Sequence, residues 1–216
     1  MIRNAKILGV ALAAALALTA MTAVAASAHV PAKFTSPSGS ATLTGAQSGA
    51  GDVFTVTAGT TTCEIATYAG SVEGTESSTA SAVPTYKECN VKPIGAATIT
   101  PNGCEYVFHA DGTIDIECPG TSEITVVAKV LGITKCTIHI PEQTGLKGAT
   151  FANKANGDIE VSVSISSGIT YSQTAGTGIG ACSAAHDSNG SYTGAALVEG
   201  SVGGKAADVF WDETVK

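Results

Sequence analysis

The sequence predicts an all-β protein, an antiparallel β-sandwich stapled by disulfides. Apolar and polar residues alternate in short runs, turn dipeptides recur at close intervals, and six cysteines follow an export signal. Helical periodicity is nearly absent, and only 13% of residues are charged, which argues against both a coiled coil and a disordered chain.

The elements follow in chain order. Arg3 and Lys6 precede an apolar run from Ile7 to Ala20, and Ala26-Ser27-Ala28 supplies the small-x-small pattern of a signal-peptidase site. The run falls short of the roughly 20 residues that a membrane span needs. Residues 1–28 therefore read as a signal peptide and 29–216 as a secreted β-sandwich; a subdivision near 90–103, with two packed or duplicated halves, is the alternative to a single unit. No later stretch is long enough to span a membrane, so no membrane insertion is expected after cleavage, and the location is extracellular or at the cell surface. Arg3 and Lys6 leave with the leader, so nine basic side chains face 18 acidic ones and no arginine remains. A surface at net −9 without guanidinium groups excludes nucleic acid as a partner and disfavours anionic membranes.

Phe54 and Val56 alternate with Thr55 and Thr57, and Ile124, Val126, Ala128 and Val130 alternate with Glu123, Thr125, Val127 and Lys129. Cys136, Ile138 and Ile140 repeat the pattern, as do Ile159, Val161, Val163 and Ile165, and Ala207 to Trp211 reads as a terminal strand. Polar outer faces favour antiparallel over buried parallel strands. Asn102-Gly103, Asp111-Gly112, Pro119-Gly120, Asn156-Gly157 and Asn189-Gly190 mark turns, while Ser36 to Asp52 and Ser172 to Ser191 read as loops. Tyr68-Ala69-Gly70-Ser71-Val72-Glu73-Gly74 is echoed by the segment from Tyr192 to Gly200, each following a cysteine, which is the basis for considering duplication.

The six cysteines are Cys63, Cys89, Cys104, Cys118, Cys136 and Cys182, an even number bound for an oxidising compartment. Disulfides are expected, because no C-x-x-C spacing of a zinc site occurs. Closing the chain between Cys63 and Cys89 contributes on the order of 3 to 4 kcal/mol in the chain-entropy account.

Pairing geometry goes further for the hairpin between Cys104 and Cys118. A two-residue Asp111-Gly112 loop would oppose Tyr106 to Glu117 and Phe108 to Asp115, mixing core and solvent residues. A three-residue Ala110-Asp111-Gly112 loop opposes Tyr106 to Ile116 and Phe108 to Ile114, with Gly112 at the left-handed position. Cys104 then faces Cys118 at a non-hydrogen-bonded site, where Cα atoms lie about 4.5 Å apart, within disulfide range. Cys136 is left to Cys182, with a Cys118–Cys136 bond as the alternative. The register also opposes Glu105 to Glu117, a like-charge pair that Lys129, Lys135 or a cation would relieve.

Chemistry-bearing candidates are few. No G-x-S-x-G elbow occurs. His109 and His139 are candidate bases, expected on outward faces of neighbouring strands. Cleavage after Ala28 would leave His29 as an amino-terminal histidine able to join a second histidine in holding copper; an aromatic content of 5% is low for a carbohydrate-contacting surface of that kind. Glu105, Asp115 and Glu117 gather hard oxygen donors on one hairpin face and are weak candidates for calcium, without any EF-hand pattern. No metal or other cofactor is expected. The sequon Asn189-Gly190-Ser191 sits behind a bacterial-looking signal and carries little information.

One resemblance spans nearly the whole mature chain. It rests on Phe54, Cys63, Tyr86 and Cys89, then on the runs from Asn102 to His109, Cys118-Pro119, Cys136 to Gln143, Gly168 to Tyr171, Cys182 and Gly190 to Gly194. In these the chain resembles a group of secreted, uncharacterised, cysteine-containing β-rich proteins of soil actinobacteria. The resemblance implies secretion and a β fold and brings no catalytic residue. The expected function is a secreted, non-enzymatic surface, adhesion or envelope-associated binding module for a protein or glycan ligand. A secreted hydrolase or carbohydrate-active protein with a loop-built site is the alternative.

Intact-mass measurement of exported material should show a chain lacking its first 25 to 28 residues, roughly the span that the small-residue rule allows. A soluble cytoplasmic product retaining Met1 would refute export.

Overall fold

The computed structural model describes residues 31–213; the predicted signal peptide and His29 lie outside them. The strands are β1 (Lys33–Thr35), β2 (Ala41–Gln47), β3 (Asp52–Val56), β4 (Gly59–Val72), β5 (Glu76–Ser77), β6 (Thr79–Lys92), β7 (Gly95–Thr100), β8 (Glu105–His109) and β9 (Thr113–Glu117). They continue with β10 (Ile124–Val130), β11 (Ile133–Ile140), β12 (Gln143–Lys147), β13 (Ala149–Asn153), β14 (Ile159–Ala175), β15 (Ala185–Val202), β16 (Lys205–Ala207) and β17 (Phe210–Asp212). Strands make up 69% of the described residues, which contain no helix, so the core must come from sheet packed on sheet. Every pairing is antiparallel.

Four long strands organise the rest, each changing partners along its length. β4 pairs β6 along one edge, and on the other it pairs β3 near its start and β2 near its end. β6 pairs β8 through residues 79–82 and β7 through residues 89–91. β14 takes β13 and then β11, and β15 takes β3 and then β2, while β14 and β15 pair with each other. Because β7 pairs β10 and β10 pairs β11, the ladder β6–β7–β10–β11–β14–β15–β3–β4 returns to β6 and closes. The sandwich is thus continuous at its margins, which removes edge strands over that circuit. Within positions 90–103, β7 pairs β6 through residues 95–97 and β10 through residues 97–100.

The length of these strands differs from the expected series of short ones, and both predicted loops contain strand. β2 occupies the first, with Ala41, Leu43 and Gly45 inward and Thr42, Thr44 and Ala46 outward, an alternation too small in volume to register as hydrophobic. A Cβ on Gly45 would stand 3.2 Å from the Tyr68 Cβ, so a larger residue would collide across the β2–β4 ladder. The second predicted loop holds the end of β14 and the start of β15, and Gln173 within it is buried, as is Tyr171 just before it. The terminal strand is also interrupted: Val209, at 1% exposure, drops into the core between β16 and β17, its N–H donating to the Gly157 carbonyl over 3.1 Å.

The β8–β9 hairpin has the three-residue loop. Glu105 pairs Glu117, Tyr106 pairs Ile116, Val107 pairs Asp115, Phe108 pairs Ile114, and Gly112 has φ 90°. Disulfides join Cys63 to Cys89, Cys104 to Cys118 and Cys136 to Cys182, the second with Cα atoms 4.1 Å apart. The core runs the length of the sandwich. Phe151 meets Phe34, Phe108 and Trp211 at ring-centroid distances of 5.0, 6.4 and 5.8 Å, at the end covered by the small sheet β17–β1–β5.

Because every cysteine is paired within the described fold, reduction should lower the melting temperature far more than EDTA does, each bridge contributing about 2–4 kcal/mol. Non-reducing peptide mapping checks the pairs directly: a peptide joining Cys104 to any cysteine but Cys118 would overturn the hairpin assignment.

Candidate functional site

The interior of the sandwich holds a cavity of about 130 Å³, lined mainly by aliphatic and aromatic side chains from both layers. One side of it is polar. Asp52, at the start of β3, is 3% exposed, and its two carboxylate oxygens accept hydrogen bonds from Tyr192 (2.7 Å) and Tyr68 (3.0 Å). Next to these, the hydroxyls of Tyr86 and Tyr106 share a hydrogen bond of 2.9 Å. The architecture dictates this convergence. β4 and β15 flank both β2 and β3, so the first tyrosine of each echoed segment points at the same residue. A side chain at Gly194 would overlap the Asp52 carboxylate and crowd the Tyr192 hydroxyl, so glycine is required there by close approach. The echoed segments lie side by side in one sheet, on either side of β2.

Burial sets the electrostatics. It pushes the Asp52 carboxyl above the usual carboxylate range, against the opposing pull of the Tyr192 and Tyr68 hydroxyls. Burial likewise raises Tyr68, Tyr86 and Tyr192, and Tyr106 is pushed up to about 12, so all four hydroxyls keep their protons and remain donors. Thr61, opposite Phe54 and two steps along the ladder from the Asp52–Cys63 pair, is 1% exposed and lines the same cavity; its Oγ1 has no hydrogen-bond partner among the described residues.

The residues singled out from sequence lie elsewhere. His109 and His139 sit on β8 and β11, which are not neighbours in the sheet, and neither lines the cavity. Each contacts a carboxylate: His109 Nε2 is 2.8 Å from Asp115 Oδ2, and His139 Nδ1 is 3.2 Å from Glu123 Oε2. Asp115 also accepts from the Gly145 N–H at 2.6 Å, and that bond first and His109 second hold its carboxyl below the usual range. Asp115 is thereby occupied by protein donors, and among the described residues no group of three His, Cys, Asp or Glu is placed to hold a metal, so Glu105, Asp115 and Glu117 form no such set. Lys129 and Lys135 do not relieve the Glu105–Glu117 pair. Lys129 lies beside the β10–β11 turn, and Lys135 donates to the Thr177 carbonyl over 2.8 Å.

A second feature occupies one end of the sandwich. Four connections meet there: 57–58, 93–94, 131–132 and 176–184. The last is pinned to β11 by the Cys136–Cys182 bond and by N–H donation from Gly176 and Cys182 to the Lys135 carbonyl. Leu131 and Ile179 stand at 98% and 100% exposure on these loops, with Ile133 at 51% beside them. The neighbouring exposed charges are Lys92 and Lys129, while Lys135 is buried with its ammonium on the Thr177 carbonyl; positions 56–60, 91–96, 129–135 and 175–185 contain no acidic residue. Beneath the loops lies a polar plug. The Tyr171 hydroxyl donates to Asn189 Oδ1 (2.9 Å) and accepts from the Thr57 N–H (2.9 Å), and Gln173 bridges the Ala58 N–H and the Ser183 carbonyl.

No family model matches the chain, no curated protein is recognisably similar to it, and no solved structure matches it.

The buried acid makes a signed prediction. A carboxyl that holds its proton more tightly folded than unfolded binds more protons in the folded state, so its contribution to stability falls as pH rises above the unfolded value of about 3.9. The stability of the wild type relative to Asp52→Asn, measured by denaturant unfolding, should fall from about pH 4 upward. A difference that rises with pH would refute a carboxyl destabilised by burial.

Proposed function

We propose that the protein is a secreted, non-enzymatic module that docks on the anionic lipid surface of a cell envelope through the loop end carrying Leu131 and Ile179. Three disulfides, and no helix among the described residues long and apolar enough to cross a membrane, are consistent with an extracellular location. The observation that carries the reading is the pairing of two fully exposed aliphatic tips with lysines and no acid.

The net charge of the chain favours the opposite expectation, but at physiological salt charges more than about 8 Å away are largely screened, so the local set governs the last step of docking. Exposed leucine and isoleucine gain about 1.5–3 kcal/mol each on burial, and each lysine near an anionic leaflet adds about 1 kcal/mol. Lysine stems can lie along apolar surface while their heads stay in water, which suits an interface of lipid and water. A protein partner fits less well, because protein interfaces favour aromatic residues and arginine and disfavour lysine. The alternative of a hydrolase has less support: both oxygens of the interior carboxylate are taken up by tyrosines, and neither His109 nor His139 lines its cavity.

Co-sedimentation of the mature protein with phosphatidylglycerol vesicles should show binding that weakens with salt and is absent on phosphatidylcholine. Leu131→Ser with Ile179→Ser should weaken it about tenfold or more without changing the melting temperature. Equal binding by the double variant would overturn the reading.

A further inference from the structure

We infer that the interior cavity is a binding site for a compact, neutral, largely apolar molecule bearing one hydrogen-bonding group, which the Thr61 hydroxyl receives. The inference is independent of the docking surface. Protein interiors are close-packed, with few voids larger than a water molecule, whereas this one is about 130 Å³. A cavity of about that size with aliphatic and aromatic walls admits a molecule the size of benzene. Here the walls include Leu43, Phe54, Ile99, Val126 and Ile165, from five different strands.

The polar groups on the wall narrow the class. Asp52, Tyr68 and Tyr192 are joined to one another, and Tyr86 is joined to Tyr106. Thr61 is the exception: its hydroxyl can both donate and accept and does neither within the protein. A buried hydroxyl without a partner is a standing cost, which a ligand alcohol, phenol or carbonyl would remove. Among the described residues no lysine, arginine or histidine lines the cavity, so a carboxylate ligand would find the Asp52 carboxyl and no cation from them. A charged ammonium would have to shed its water for an acid whose two oxygens already accept from tyrosines.

Benzyl alcohol is the probe, with toluene lacking the hydroxyl and benzoate carrying a charge. Titration of the mature, oxidised protein followed by NMR should show saturable binding of benzyl alcohol, with intermolecular NOEs to the methyl groups of Val126 and Ile165. Benzoate should not bind. Thr61→Val should weaken benzyl alcohol about tenfold while leaving toluene unchanged or tighter, as expected for one hydrogen bond. Val126→Phe, which fills the cavity, should abolish both. Failure of the unsubstituted protein to bind benzyl alcohol, NOEs confined to surface residues, or cross-peaks to water alone in the cavity would each overturn the assignment, whatever the variants do. Equal weakening of toluene and benzyl alcohol by Thr61→Val would overturn the role of Thr61.

Discussion

Closure of the backbone ladder is the constraint on which the rest of this structure depends. An open sheet leaves rows of unpaired N–H and C=O groups, and this chain has few charged side chains with which to guard them. It closes the circuit instead by giving β4, β6, β14 and β15 two sets of partners each. β4 and β6, which both take two sets of partners, change which face they turn inward, and they do so together. Cys63 pairs Cys89 and Ile65 pairs Lys87, so the register is kept; yet Glu64 and Ile65 are both exposed, as are Lys87 and Glu88, and Glu88 takes φ 54°. The ribbon thereby rotates its inner face within one step, immediately beside the disulfide that fixes it. β14 and β15 turn differently, with register shifts between Ile165 and Tyr171.

Those turns explain what the sequence could and could not reveal. Strict alternation over five to eight residues is legible, so the segments around Phe54, Val126, Ile138 and Val161 were readable as strands. Each phase change looks like the end of a strand, and so two-layer strands appear as short ones with loops between. The β8–β9 hairpin was legible to the level of its disulfide because it is short, without a bulge, and carries four large residues on one face. β2 was not, since its inward residues are alanine, leucine and glycine, chosen by the space that Tyr68 and Val198 leave. The polar cluster had one trace in the sequence: the repeated Tyr-x-Gly of Tyr68–Gly70 and Tyr192–Gly194. Asp52 had none, because a lone acid at the end of a Gly/Ser-rich stretch looks like a solvated loop residue until the fold encloses it.

Net charge and local charge part company here for a topological reason. The acidic side chains are spread along strands and the remaining turns, while the four connections at one end contain no charged residue. Leu131 takes φ 48° and Gly132 φ 80° in the two-residue β10–β11 turn, where glycine, asparagine or aspartate would be the unstrained choice at the first position. An aliphatic side chain kept at 98% exposure on a strained backbone position has no folding rationale in this structure. The turn is closed by the Val130–Ile133 pair, and the loop that carries Ile179 is tied to the same strand, β11, by Cys136–Cys182.

The loop end proposed for docking and the cavity are separate features, and the residue order along β14 separates them. Ile165 and Ile169 line the cavity; the next inward positions, Tyr171 and Gln173, do not, and both are buried. Their side chains sew the 57–58 connection to β15 and to the loop that carries Ile179. A molecule entering from the loop end would have to break those hydrogen bonds and leave buried polar groups unpaired, at about 1–3 kcal/mol each. The same bonds that bar that route hold the 57–58 connection and the loop under Ile179 in one arrangement, so order at the loop end and enclosure of the cavity have a common source. Entry to the cavity therefore belongs to another part of the wall than the one that Tyr171 and Gln173 close.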